Sequence, residues 1–338
     1  MPVDPLLSQY SDLLFEGTVV VYLLAMVFSA VEYVTARQST PAAEPAEVVA
    51  VAATSAEPAA VSGSAGSAGS AADEIPPPPV RTPKPERSRA DRFGRMAVSL
   101  TILGVLLHLG SIALRGLAAE RWPLGNMYEY TSAVCLAAMV AWLVVLQRGA
   151  GRSRGIRRLG VFLYAPILVL MVLAGTVLYA QAAPVVPALQ SYWLVIHVTT
   201  ITLSTGLFIV PGVASILYLM KRSGRPAGFV AKLPAQETLD RLAYRTTVVA
   251  FPMFTFAVIC GAIWAEAAWG RFWGWDPKET VAFISWVVYA AYLHARATAG
   301  WRHAPAAWIN IVGLATVIFN LFFVNMVIAG LHSYAGLG

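Results

Sequence analysis

Apolar runs long enough to cross a bilayer recur along this sequence, and that recurrence leaves the chain few ways to fold. A spanning helix needs about 20 mostly apolar residues. Eight such runs can be read, at roughly 13–34, 96–117, 127–147, 159–181, 192–220, 245–265, 279–298 and 306–329. Composition agrees: the 338 residues are 58% hydrophobic and 12% charged, against about 25% charged in a soluble domain. The solvent for most of the chain is therefore lipid. The expected fold is all-α, a polytopic transmembrane helix bundle of about eight spans. The fifth run contains Pro211, which removes a backbone donor and predicts a kink.

The first run reads as a permanent span. Met1–Glu16 holds Asp4, Asp12 and Glu16 but no Lys or Arg, whereas a cleavable signal needs a basic start and a small-residue cleavage site. Residues 1–37 thus form an N-terminal span, and 93–338 the main transmembrane domain. Between them, 38–92 is rich in Ala, Pro, Ser and Gly and reads as a disordered tether. Charge sets the expected topology. Of the 24 Lys and Arg, 20 fall in one alternating set of connections; the other set holds Arg115, Arg121, Arg271 and Lys278. The positive-inside rule puts the richer set in the cytoplasm. Both termini and the connections at 118–126, 182–191 and 266–278 then face outward. The net charge of +6 needs no partner beyond anionic lipid, and nothing points to nucleic acid. Cys135 and Cys260 lie inside apolar runs and form no CxxC pair, so a thiol–disulfide oxidoreductase or a structural zinc site is not expected.

One outward connection is chemically unusual. Trp264–Asp276 reads WAEAAWGRFWGWD and holds four of the ten tryptophans, Trp264, Trp269, Trp273 and Trp275. An interfacial aromatic belt places Trp at helix ends; a flat apolar shelf at the membrane edge would also suit a flat apolar ligand such as porphyrin. Asp276-Pro277-Lys278-Glu279 carries the pattern of a helix start, with Asp as N-cap, Pro at N1 and Glu closing a capping box. Ionisable side chains within spans are functional candidates. His197 follows one outward connection and His332 follows the last run, so both reach the level of the tryptophans. Together they read either as a bis-His haem site or as two unrelated interfacial histidines. His294 lies near the inner end of the seventh run, too deep to share that haem, and could serve a second one. His108 reads as a core histidine and His303 as a solvated loop residue.

At these residues the sequence resembles a known family. WGRFWGWDPKETVAFISWVVYAAYLHAR, GLHSYA and RWPLGNMYEY resemble the tryptophan-rich WWD motif and companion segments of the CcsA/ResC family (called CcsB in some lineages) of system II cytochrome c biogenesis, over about 96–338. Val281 stands where that pattern commonly has another Trp, and Arg121–Asn126 is shorter than usual and lacks a frequent His. The resemblance implies a multi-pass cell-membrane protein that works with a ResB-like partner in a cytochrome c haem lyase complex. It implies transport of haem b across the membrane and its presentation to the CxxCH motif of an apocytochrome c. By position it makes His197 and His332 the external iron ligands, with Trp269, Trp273, Trp275 and Asp276 around the haem, and His294 a ligand to an inner haem whose second ligand comes from the partner. No residue is an evident catalytic acid, base or nucleophile. A cytochrome b-like electron-transfer subunit, or a haem exporter without ligase activity, stand as alternatives.

Overall fold

The computed structural model describes residues 3–36, 88–148, 154–184, 191–328 and 330–332. Most of the expected tether, 37–87, lies outside the described residues. Among the described residues the secondary structure is helical throughout. Eight long helices account for the eight apolar runs: α1 (Pro5–Thr35), α2 (Arg89–Ala118), α3 (Met127–Gln147), α5 (Gly160–Thr176), α6 (Tyr192–Ser223), α8 (Gln236–Trp269), α9 (Pro277–Ala297) and α10 (Ala304–Met326). Two single-turn helices, α4 (Arg154–Arg157) and α7 (Ala227–Val230), sit in the connections before α5 and α8. Seven of the long helices are apolar enough to cross a membrane. α9 is long enough at 21 residues, but Lys278, Glu279, His294 and Arg296 lower its apolarity. The chain is a multi-pass membrane protein built as a helical bundle.

Local sequence fixes where the helices begin and end. Asp4 caps α1 by accepting from the Leu6 and Leu7 amides, and Asn126 caps α3 through the Glu129 amide. Each satisfies donors that have no intrahelical partner. Gly270 closes α8 with a left-handed φ of 71°, where a side chain would be strained. Helix α6 runs unbroken through Pro211, so any bend there stops short of ending the helix.

Packing divides the bundle into two groups. α1 lies along α2, and α5 leans on α1 and α3; α8 lies along α6, and α10 along α9. α3 joins the groups by packing on α6. That seam is close because Gly206 of α6 has no side chain: a Cβ there would lie 2.6 Å from both Ala137 Cβ and the Val134 carbonyl of α3. Small residues at such seams let backbones approach where the hydrophobic effect gives no drive to associate. The main core is built of Met139, Trp142, Leu163, Ile167 and Met171 with their neighbours. A second, smaller core gathers Phe208, Phe254 and Tyr289 on the α6–α8–α9 side, with Phe208 stacked on Tyr289 at 3.8 Å.

A histidine pair at a tryptophan-lined cavity

The α2–α3 and α8–α9 connections, with the helix ends they join, line a cavity of about 170 Å³. One wall is the α2–α3 connection through Leu124, Gly125 and Asn126, and the others come from α6, the end of α8 and the start of α9. His197 and His332 both line it, with Trp264, Trp269 and Trp273. These residues are far apart in sequence, and four separate elements carry them to one place.

Each imidazole is held through the same ring nitrogen. His197 Nδ1 is 2.8 Å from the Ala257 carbonyl of α8. Its ring passes over Gly261, where a Cβ would lie 2.7 Å from His197 Cε1; the glycine makes room for the ring. His332 Nδ1 is 2.8 Å from Asp276 Oδ2. Nδ1 is thus engaged in both rings, and the atom each would offer to iron is Nε2. Fixing one ring nitrogen with a carbonyl or carboxylate sets the tautomer and orientation of a metal-binding histidine.

Asp276 does two jobs. It caps α9 in a full capping box, with the Glu279 side chain returning to the Asp276 amide. Its carboxylate also accepts from the Leu331 amide at 2.8 Å and bonds His332. Burial pushes this carboxyl up, but the His332, Leu331 and Lys278 hydrogen bonds outweigh it and hold the group down at about 2. The carboxylate is therefore charged beside His332 throughout the neutral range. Its oxygens are occupied by this work, and one of them orients the His332 ring.

The tryptophans separate into two sets. Trp264 is buried and stands parallel to the His197 ring at 6.3 Å. It also meets Trp269 edge-on at 4.8 Å and lies 6.1 Å from His332. Trp269 in turn meets His332 at 5.1 Å. Trp273 borders the cavity and contacts Trp275 and Phe283 edge-on. Trp275 points away: it is 66% exposed, at a left-handed φ of 57°, and does not line the cavity. Sequence reasoning singled out Trp269, Trp273 and Trp275; the tryptophan that joins the two histidines is Trp264. It was visible as the first of the cluster, but its place on the inner face of α8 needed the helix to be continued to Trp269.

A second group the sequence reading passed over braces the cavity's far wall. Arg115, 2% exposed, reaches Glu129 and Asp12 at 3.2 Å each. Arg121 grips the same Glu129 with two nitrogens at 2.8 and 2.9 Å, and Glu129 accepts the Gly125 amide at 2.8 Å. Two cations and two carboxylates balance, so the buried charges are paired. The network pins the α2–α3 connection that supplies Leu124, Gly125 and Asn126. The available signal was an ionisable residue inside each of two apolar runs.

His294 is apart from this site. It lies 18 residues along α9 from Asp276, about 27 Å at the helical rise. Its side chain is exposed on the bundle surface and has no hydrogen-bond partner among the described residues. His108 is buried in the core, with Nε2 2.9 Å from Ser132 Oγ. His303 is exposed at the start of α10.

The residues present would suit a haem: two oriented imidazoles beside aromatic walls. The sequence profile of the cytochrome C assembly protein family matches residues 124–332, a span that opens on the cavity's first wall and closes on His332. The chain belongs to that family. It is 37% identical over 249 residues to the cytochrome c biogenesis protein CcsA of Chlamydomonas reinhardtii, covering 70% of this chain and 69% of the relative. The CcsA protein of Synechococcus sp. (strain CC9902) is 33% identical over 267 residues, covering 70% and 85%. That of Porphyra purpurea is 30% identical over 288 residues, covering 74% and 90%. Membership in the cytochrome c assembly family gives the paired histidines a chemical context: a protein of this kind handles haem.

Proposed function

We propose that this chain acts in cytochrome c biogenesis by holding haem b between His197 and His332 and presenting it for covalent attachment to an apocytochrome c. The observation that carries the proposal is the convergence of the two histidines on one tryptophan-lined cavity, each with Nδ1 engaged and Nε2 as its remaining ring nitrogen. Trp264, Trp269 and Trp273 supply flat apolar walls for the porphyrin. In the attachment step each thiol of a CxxCH motif adds across one haem vinyl group: a sulfur–carbon bond forms, and the thiol proton ends on the neighbouring vinyl carbon. The CxxCH histidine replaces one protein imidazole on the iron. No side chain of this chain need act as acid or base; positioning two reactants in a shielded site supplies the advantage.

The charge asymmetry of the connections supports an orientation with the cavity and both termini outside the cell membrane, since 20 of 24 basic residues fall in the opposite set. A ResB-like membrane partner fits α9. Ile284, Val287, Ala291 and His294 are exposed along one stripe of that helix, at the spacing by which helices pack against one another. A partner helix on this stripe would bring its own iron ligand to His294 and form an inner haem position.

The test replaces His197 or His332 with Ala, co-expresses the chain with a ResB-like partner and a c-type reporter, and measures holocytochrome with and without imidazole. Each variant should lose most of the product, and imidazole should restore part by filling the vacant ligand position. Normal maturation in both variants would sink the assignment.

A further inference from the structure

A long groove runs beside the α3–α6 seam, walled by α3 on one side and by α6 and the first half of α8 on the other. Its volume is about 1030 Å³. At one end lie Trp122 and Leu124, and Leu124 also borders the tryptophan cavity. At the other end lie Arg148, which follows the last turn of α3, and Arg241 and Arg245 from the first turns of α8. Between them the lining is mainly aliphatic, as at Leu136, Val140, Val144 and Leu203. From Ala133 to Arg148 the α3 wall is about 22 Å long at the helical rise.

Within the described residues, the groove's three arginines are among those of the bundle that no carboxylate pairs with. Arg115, Arg121, Arg157 and Arg296 each have a carboxylate within ion-pair distance. Arg148, Arg241 and Arg245 are exposed and have no such partner among the described residues. An occupant must therefore be aliphatic over some 20 Å and anionic at one end. A porphyrin does not match. The lining holds no His, Cys, Met or Tyr to bind iron, and Trp122 is its one aromatic side chain. An acyl chain with an acidic headgroup matches in length, in chemistry and in the position of its charge.

We propose that this groove is the seat of an anionic phospholipid, its acyl chain lying along α3 and its phosphate held by Arg148, Arg241 and Arg245. The assignment stands on the groove itself and is independent of the haem site.

The full-length chain, purified and stripped of lipid, can be tested by native mass spectrometry. Phosphatidylglycerol and phosphatidylethanolamine of the same acyl composition are added in equal amounts. The unaltered protein should retain phosphatidylglycerol preferentially, by about tenfold, as expected for several basic residues meeting one acidic headgroup. The triple variant Arg148→Gln/Arg241→Gln/Arg245→Gln should retain the two lipids equally. Val140→Trp, at a 42% exposed position, fills the groove but leaves the arginines, and should lower retention of both. Far-ultraviolet circular dichroism and a monodisperse elution profile show that each variant is folded. The proposal is overturned if the unaltered protein shows no preference, if the triple variant keeps it, or if Val140→Trp binds lipid normally. Displacement of bound lipid by added haem would assign the groove to porphyrin, and its loss on co-purification with a membrane partner would assign it to that partner; either result also overturns the proposal.

Discussion

At the scale of single residues, the site is decided by what holds the two histidine rings as much as by the rings themselves. Gly261 shows this for His197. A methyl at that position would lie 2.7 Å from Cε1 and 2.8 Å from Nδ1 of the ring, and the ring is tied to the Ala257 carbonyl. The ring must therefore turn or break its hydrogen bond. Alanine is the better helix former by about 1 kcal/mol, so Gly261→Ala should leave the helix sound while lowering haem per protein several-fold, read from Soret absorbance against protein mass. Full occupancy with an unaltered spectrum would show that His197 is not a ligand. Asp276 allows its two jobs to be separated. Asn is as good an N-cap as Asp, so Asp276→Asn should keep α9 intact but remove the negative charge from His332 Nδ1. Loss of such an orienting carboxylate costs about 10–100-fold in metal affinity. A thermal midpoint close to the parent's with markedly faster haem release is the expected pair of results; equal release rates would reduce Asp276 to a cap. These side chains were legible as types in the sequence. The capping box was read directly from Asp276, Pro277 and Glu279, whereas the bond to His332 joins residues 56 apart and no local pattern encodes it.

At the scale of elements, the tryptophan segment is part helix and part turn. The sequence reading treated Trp264–Asp276 as one loop, but α8 runs on to Trp269 and puts Trp264 and Trp269 on a rigid surface facing the histidines. Gly270 then turns the chain, and the remaining tryptophans lie beyond it. The helix was hard to foresee because its last turns, WAEAAW, are rich in aromatic and polar residues, and apolar periodicity fades at the membrane edge. The two sets should behave differently when altered singly. Leucine preserves apolar area but loses the flat ring face. Trp273→Leu should lower haem retention, because Trp273 borders the cavity. Trp275→Leu should change it little, because that ring is exposed and lies outside the lining. Haem content of the purified complex checks both. Full retention in Trp273→Leu would return that side chain to an interfacial belt role.

At the scale of the whole molecule, spans were legible and partners were not. All eight long helices overlap the apolar runs, because hydropathy over about 20 residues is a strong signal. Which helices touch was not legible, since lipid-facing and protein-facing apolar residues look alike, and the α3–α6 seam depends on a single glycine at 206. The bundle also separates two histidine positions along α9: the Asp276–His332 pair at one end and His294 at the other. An imidazole exposed to hydrocarbon would be costly unless something met it; His294 is exposed on the bundle surface and has no hydrogen-bond partner among the described residues. A partner's ligand to an inner haem would meet that need. If so, His294→Ala should deplete haem from the outer site as well, because supply fails before the cavity is reached, and added imidazole should restore part of it. If His294 instead only packs against a partner helix, the variant should form less complex but load each copy fully. Haem per folded complex, measured by pyridine haemochrome against protein, separates these outcomes. A several-fold fall that imidazole partly reverses is expected, and a ratio equal to the parent's would refute the inner position.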